Sequence, residues 1–255
     1  MFNCNRVIRC YQDAYDIRTE IAPFQTRGWH LFYRGHANES FKLLPTIGRK
    51  KPLFGDMTKC EQAYFHEYKQ LVKIEEWERY KPSSLNDDLF LMSIGRHLGL
   101  DCRLLDWSAS LDTALFFASS DEANSDCDGT LWIMVYKGTI DLGNAKTDPF
   151  SFTDFSIIKE SHLWLNDVVS SQPLGLSRRL RQNGFFTITP TENVTTPLNE
   201  QNIQNTFFFP IKIKAEAKSD IIKKVPRDED WLLLNRPSRI ADDIKVINSK
   251  YFIST

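Results

Sequence analysis

Apolar positions between Arg6 and Ala22 recur at helical spacing, and the stretch FQTRGW interrupts them. The segment HLFYRGHA, from His30 to Ala37, is a short aromatic run with Arg34-Gly35 near its end, the pattern of a strand that stops in a turn. A Pro- and Lys-rich loop, LLPTIGRKKPLFGD, leads into Met57–Tyr80. The amphipathic period there predicts a long helix with Thr58 as N-cap and Glu61 three residues on, closed by Pro82-Ser83-Ser84. Asn86–Leu98 predicts a second helix, with Asp87 and Asp88 in the first turn, where the macrodipole favours acids, and Gly99 just past the end.

Three units follow: DCRLLDWSAS as a short strand and turn, LDTALFFASSDEA as a helix, and GTLWIMVYKG as an apolar run that predicts a central strand. Beyond Lys137 the pattern reads DLGNAKTDPFSFTDFS as loop, IIKESHLWLNDVV as a short helix, and SRRLRQNGFFTITP as a segment ending in a strand. TENVTTPLNEQNIQN reads as a polar, exposed excursion. TFFFPIKIKAEAKSDIIKKV predicts a strand entering a helix, and WLLLNRPSRIADDIKVINSKYF a terminal helix packed back onto the rest. Strands alternating with helices after two leading helices predict a mixed α/β layer rather than a helical bundle.

At 255 residues the chain fits one domain with elaborations. Thirty-two Lys and Arg against thirty-three Asp and Glu leave a formal charge of −1, so no global field draws the protein to nucleic acid or to a membrane surface. No apolar run reaches membrane-spanning length, and the start MFNCNRVIRCYQDAYDIRTE lacks the apolar core of a secretory signal, which predicts a cytoplasmic protein. The five Cys form no CxxC pair and predict neither a disulfide framework nor a metal site; Cys102 has no identifiable base beside it and is not assigned as a nucleophile.

Three clusters carry candidate chemistry: Tyr33-Arg34-Gly35, the block His97–Ser119 (HLGLDCRLLDWSASLDTALFFAS), and RRLRQNGFF from Arg178 to Phe186. Each sets Arg at a strand boundary with Gly near it. An Arg fork binds phosphate or carboxylate through two parallel hydrogen bonds, and a Gly lets a ligand approach the backbone, so the three corners are expected to converge on one anionic ligand.

The stretches FYRGH, HLGLDCRLLDWSASLDTALFFAS and RLRQNGFF together resemble the FRG domain, a family named for its (F/Y)RG motif that continues with a pattern like QHYGLPTRLLDWTxNPxxALFFA and a late RxxxQxGxF. The resemblance covers about residues 30–190. It divides the chain into an N-terminal helical lead-in (1–29), the FRG domain (30–190) and a C-terminal extension packed on the same domain (191–255). His36, Arg96 and Asp101-Cys102 depart from the family pattern; Arg34, His97, Arg103, Asp106 and Gln182 match it.

A fainter resemblance joins RLLDWSASLDTALFFAS to the Ser-Thr-Ser strand end and following helix of arginine-type ADP-ribosyltransferases. It implies an α+β fold with a split sheet flanked by helices and an NAD-utilising enzyme that transfers ADP-ribose to a macromolecule, protein or nucleic acid, or to water. On that reading Tyr33, Arg34, Gly35, Arg103 and Trp107 bind NAD, with Arg34 and Arg103 as the pyrophosphate clamp and Trp107 or Tyr33 as the stacking face. His97, Asp106, Ser108 and Gln182 line the reacting centre. Because Gln182 is an amide where those enzymes carry Glu, the resemblance implies either that Asp106 or Glu160 supplies the negative charge near the ribose or that the protein is a slow or inactive relative. An NAD-consuming enzyme inside a cell needs restraint, which implies a toxin or phage-defence effector with an inhibitor or antitoxin protein. The alternatives are a nucleic-acid-binding or processing module, with Arg178, Arg179 and Arg181 beside Phe185 and Phe186 as its basic aromatic edge, and a non-enzymatic protein-interaction domain.

Overall fold

A computed structural model describes residues 6–72, 88–140, 148–159, 184–226 and 239–254. In chain order these give β1 (Val7–Ile8), α1 (Tyr11–Thr26), β2 (His30–His36), β3 (Lys50–Pro52), α2 (Met57–Val72), α3 (Asp88–Leu98), β4 (Leu105–Ser108), α4 (Leu111–Ser119), β5 (Gly129–Tyr136), β6 (Ser156–Lys159), β7 (Gly184–Ile188), β8 (Thr206–Ile213), α5 (Ala215–Lys224), α6 (Arg239–Tyr251) and β9 (Phe252–Ser254). The fold is mixed α+β. Seven strands form one sheet in the order β1-β8-β5-β2-β4-β7-β6, antiparallel except for the β1–β8 pair, and β3 with β9 makes a separate two-stranded ribbon.

Alternation along the strands sorts the core. Leu31, Tyr33, Leu131, Ile133, Val135, Ile211 and Ile213 meet α1, α4 and α5, while Ile158, Phe186 and Ile188 meet α2, α3 and α6. The intervening positions, among them Phe32, Leu105, Trp107, Trp132, Met134 and Phe185, build a third cluster, closed by Leu43 and Leu198 from loops. β5 is the predicted central strand, with seven buried residues in a row between β2 and β8.

The two helix-covered halves of the sheet are joined narrowly. β2 pairs with β5 through seven residues but with β4 through one, Tyr33 opposite Ser108. Helix α4 leaves this junction at once: the Ser108 hydroxyl accepts from the Ser110 N–H at 2.9 Å, and the Ser110 side chain caps α4 by accepting from Thr113 N–H. α1 is tied to the first turn of α4 because the Tyr11 and Tyr15 hydroxyls both donate to the Asp112 carboxylate.

Several sequence expectations change. α1 runs on past Pro23 to Thr26, because Phe24 packs against the core it helps to cover. The start of α2 is capped by Asp56, whose carboxylate accepts from Lys59 N–H at 2.8 Å, and not by Thr58; Glu61 is buried elsewhere. Ile157 and Ile158, expected in a helix, lie in β6, where two adjacent β-branched residues pair with β7. Lys159 lies in β6 as well, and the remainder of that stretch, 160–169, lies outside the described residues. The 191–205 segment is anchored by two 3₁₀ turns that bury Val194 and Leu198. β8 and α5, drawn from the expected C-terminal extension, are integral to the main sheet and its core. Gly99 ends α3 at φ +97°, as the sequence predicts. No described helix is long and apolar enough to cross a membrane.

Candidate functional site

Extending the Tyr33–Ser108 register would set Gly35 opposite Asp106. The ladder stops instead, and the Arg34 guanidinium fills the opening: Nη1 donates to the Asp106 carbonyl at 2.6 Å and lies 3.5 Å from the Asp106 carboxylate. The same carboxylate oxygen accepts from Arg96, on the last turn of α3, through Nε at 3.1 Å and Nη2 at 2.7 Å. His97 adds positive potential from the neighbouring position. Burial alone would push the Asp106 carboxyl up, but Arg96, Arg34 and His97 outweigh it and pull it down to about 2, so Asp106 is an anion at neutral pH. Its side chain nonetheless keeps 36% exposure, with Arg34 at 15% and Arg96 at 17%, so the ion pairs sit at an opening to solvent.

Cations outnumber acids at this corner. Burial pulls Arg34 down to about 10; Asp106 supports its charge, while Arg96 and Arg49 oppose it. Arg49 is exposed and is oriented by donating Nε and Nη2 to the Leu44 carbonyl at 3.3 and 2.9 Å. Lys50 lies 3.6 Å from Asp101, whose buried carboxyl is pushed up by desolvation against the pull of Lys50, Arg96 and Arg49. Crowded guanidiniums sharing one open carboxylate form a ready anion site.

His36 locks Arg34 from the other side. Its Nε2 accepts from Arg34 Nε at 3.2 Å, and its Nδ1 faces both the Trp132 indole Nε1–H, which donates to it at 3.2 Å, and the Phe41 carbonyl at 3.1 Å. Burial, aided by Arg34, pushes the imidazole from 6.5 down to about 3. Between those two values the unfolded chain binds a proton that the native state refuses. This contribution to stability is therefore complete above pH 6.5 and is lost as pH falls toward 3. We expect the urea midpoint to drop between pH 7 and pH 4.5, and His36→Asn to show a shallower drop; equal slopes in the two proteins would contradict this account of His36.

Other expected site residues lie elsewhere. Arg103 is 2% exposed and does not form a clamp with Arg34. It is directed into the core, with Nε 3.1 Å from both Glu61 carboxylate oxygens, Nη2 bonded to Glu61 and Thr191, and Phe150 beneath the guanidinium at 4.9 Å. Trp107 is buried and donates Nε1–H to Thr187, so it presents no stacking face. Tyr33 is equally buried, its hydroxyl pushed up to about 12 by desolvation. Ser108 is buried in the turn that starts α4. Gly35 makes room for α4, not for a ligand: a Cβ there would stand 1.9 Å from the Ala114 carbonyl oxygen. The Cys102 thiol is pushed up to about 12 by burial, opposite to what a nucleophile needs. Gln182, Glu160, Arg178, Arg179 and Arg181 lie outside the described residues. Among the described residues no cluster of His, Cys, Asp or Glu forms a metal site.

The frame that holds the corner is β2, the α3–β4 connection and α4, and residues 29–127, which contain all three, match the model of the FRG domain family. The chain carries an FRG domain. The match stops before β5, so the FRG domain supplies Arg34, Arg49, Arg96, His97 and Asp106, whereas β7 and the RLRQNGFF stretch lie beyond it. Searches of the curated proteins and of the solved structures found no match.

Arg49 and Lys50 were missed by sequence reasoning because a Pro- and Lys-rich loop carries no periodic signal, Phe41 because it lies in the short polar stretch just before that loop, and Arg96 stood out only as a departure from the family pattern. The (F/Y)RG motif itself reads in structural terms: the aromatic fills the core, Arg reaches the sheet opening, and Gly admits α4.

Proposed function

We propose that the Arg34–Asp106–Arg96 corner binds the pyrophosphate of NAD and that the chain is an NAD-utilising, ADP-ribosyltransferase-like enzyme. The observation that carries this reading is one solvent-accessible carboxylate shared by Arg34 and Arg96, with Arg49 close enough to oppose Arg34. A diphosphate supplies the negative charge that two guanidiniums now draw from Asp106. Arg96, with Arg49, takes the clamp role first expected of Arg103.

NAD supplies an activated glycosidic bond, whose cleavage leaves an electron-poor ribosyl carbon and releases nicotinamide with the bonding electron pair. Asp106, ionised at neutral pH, provides negative charge for that centre once its guanidinium partners turn to phosphate. His97, in its neutral form, serves on this reading as the base that takes the proton lost by the acceptor as its bond to the ribosyl carbon forms. The acceptor is a macromolecule or water, and a toxin or phage-defence role under an inhibitor or antitoxin protein is the setting that such chemistry requires.

The test is nicotinamide release by the purified full chain. We expect turnover by the wild type and a fall in kcat/KM of about 10- to 100-fold in Arg34→Lys and Arg96→Ala, the loss appropriate to a charge-assisted hydrogen bond, with folding checked by thermal unfolding. A wild-type protein that neither releases nicotinamide nor binds NAD at millimolar concentration would refute the reading.

A further inference from the structure

The loop after β2 holds an aromatic ring out in solvent on an unusually well-tied backbone. Phe41 is 40% exposed. Its N–H donates to the Asn38 carbonyl at 3.1 Å, closing a turn, and its carbonyl faces His36 Nδ1. Asn38 accepts from Ser40 N–H and donates to Asn124, while Glu39 N–H donates to the Asp128 carbonyl at 2.7 Å. Lys218, 3% exposed on α5, donates Nζ to the Ala37 and Asn124 carbonyls, both at 2.6 Å. The loop is thus fixed to three other parts of the fold, and ordering it on ligand binding costs little.

The ring's position is as informative as its rigidity. Phe41 meets the His36 imidazole edge-on, centroids 6.2 Å apart, and the far nitrogen of that imidazole accepts from Arg34 Nε. One imidazole therefore separates an exposed aromatic face from the phosphate-seeking guanidinium. In a nucleotide, a ribose, a ring of similar size, separates the phosphate from the base. Trp107 and Tyr33, the aromatics first expected to stack, are both buried, which leaves Phe41 as the exposed ring bonded through His36 to this corner.

We propose that Phe41 is a specificity-determining residue that stacks on the heteroaromatic base of the nucleotide whose phosphate engages Arg34, an inference that rests on the anion-site reading above. The site then selects nucleotides over other phosphorylated sugars, since every base offers a π-face and ribose phosphates offer none.

Calorimetric titration of the full chain with ADP-ribose and with ribose 5-phosphate separates the two ideas. The wild type is expected to bind ADP-ribose more tightly. Phe41→Ala should weaken ADP-ribose binding by about 5- to 100-fold, the range set by base–aromatic stacking, and leave ribose 5-phosphate unchanged; Phe41→Trp should restore the nucleotide. Wild-type ADP-ribose affinity in Phe41→Ala alongside a loss in Arg34→Lys would overturn the stacking role and leave the anion site standing. Absence of binding of either compound to the wild type would overturn both.

Discussion

Replacing Glu61 with Ala is expected to remove about 3–5 kcal/mol of stability, the cost of stranding one charge of a buried pair. Glu61 and Arg103 are 1% and 2% exposed, and among the described residues the guanidinium is otherwise hydrogen-bonded only to Thr191 and to the Pro149 carbonyl at 3.5 Å. With Glu61 gone, the buried Arg103 charge loses its carboxylate partner, and α2 loses its tie to the segment that leads into the strand carrying Asp106. At about 2–4 °C per kcal/mol for a chain of this size, the melting temperature should fall by about 6–20 °C. The double variant Glu61→Leu/Arg103→Met should recover most of this, because a volume-matched apolar pair needs no partner. A single variant within 1 kcal/mol of the wild type would show that the pair is not buried as described.

Gly35→Ala should be of similar severity for a different reason. An added Cβ would meet the Ala114 carbonyl oxygen at 1.9 Å and the Ala118 nitrogen at 2.7 Å, both backbone atoms of α4. Side chains can rotate away from an intruding methyl group; a helix backbone cannot. Overpacking costs typically about 1–3 kcal/mol, and this site belongs at or above the top of that range. α4 is also continuous with the turn that follows Asp106 and Ser108, so a shift of the helix moves the carboxylate away from Arg34. Loss of stability is expected, and with it, on the proposed reading, loss of NAD turnover. Gly35→Ala unfolding at the wild-type temperature would mean that β2 and α4 are not in backbone contact.

These two cases show what the sequence could and could not convey. Strand and helix identities of β2, α3, α4 and β5 were readable, because these combine strong periodicity with clear ends such as Gly99, whereas β3, three residues inside the Pro- and Lys-rich stretch, was read as loop. The motif was readable as a unit, and the structure brings two of its residues, Arg34 and Asp106, into contact. Which of two neighbouring arginines faces solvent was not. Arg96 and Arg103 lie seven residues apart, and only packing decides that Arg103 meets Glu61 in the core while Arg96 reaches Asp106 at the opening. The same holds for Glu61, whose place three residues after Thr58 imitates a capping box although its carboxylate serves Arg103. Tyr33 and Trp107 looked like stacking rings because large aromatics both fill cores and line sites, and burial alone separates the two uses. The β6 strand was missed because four residues are too short for periodicity to distinguish strand from helix.

The most direct measurement is the structure of the protein with ADP-ribose bound. The account predicts phosphate oxygens within about 2.7–3.2 Å of the Arg34 and Arg96 guanidinium nitrogens, at the point where β2 and β4 separate. Ligand bound at a distant surface, or a corner where Arg34 and Arg96 stay on Asp106 at saturating ADP-ribose, would contradict it.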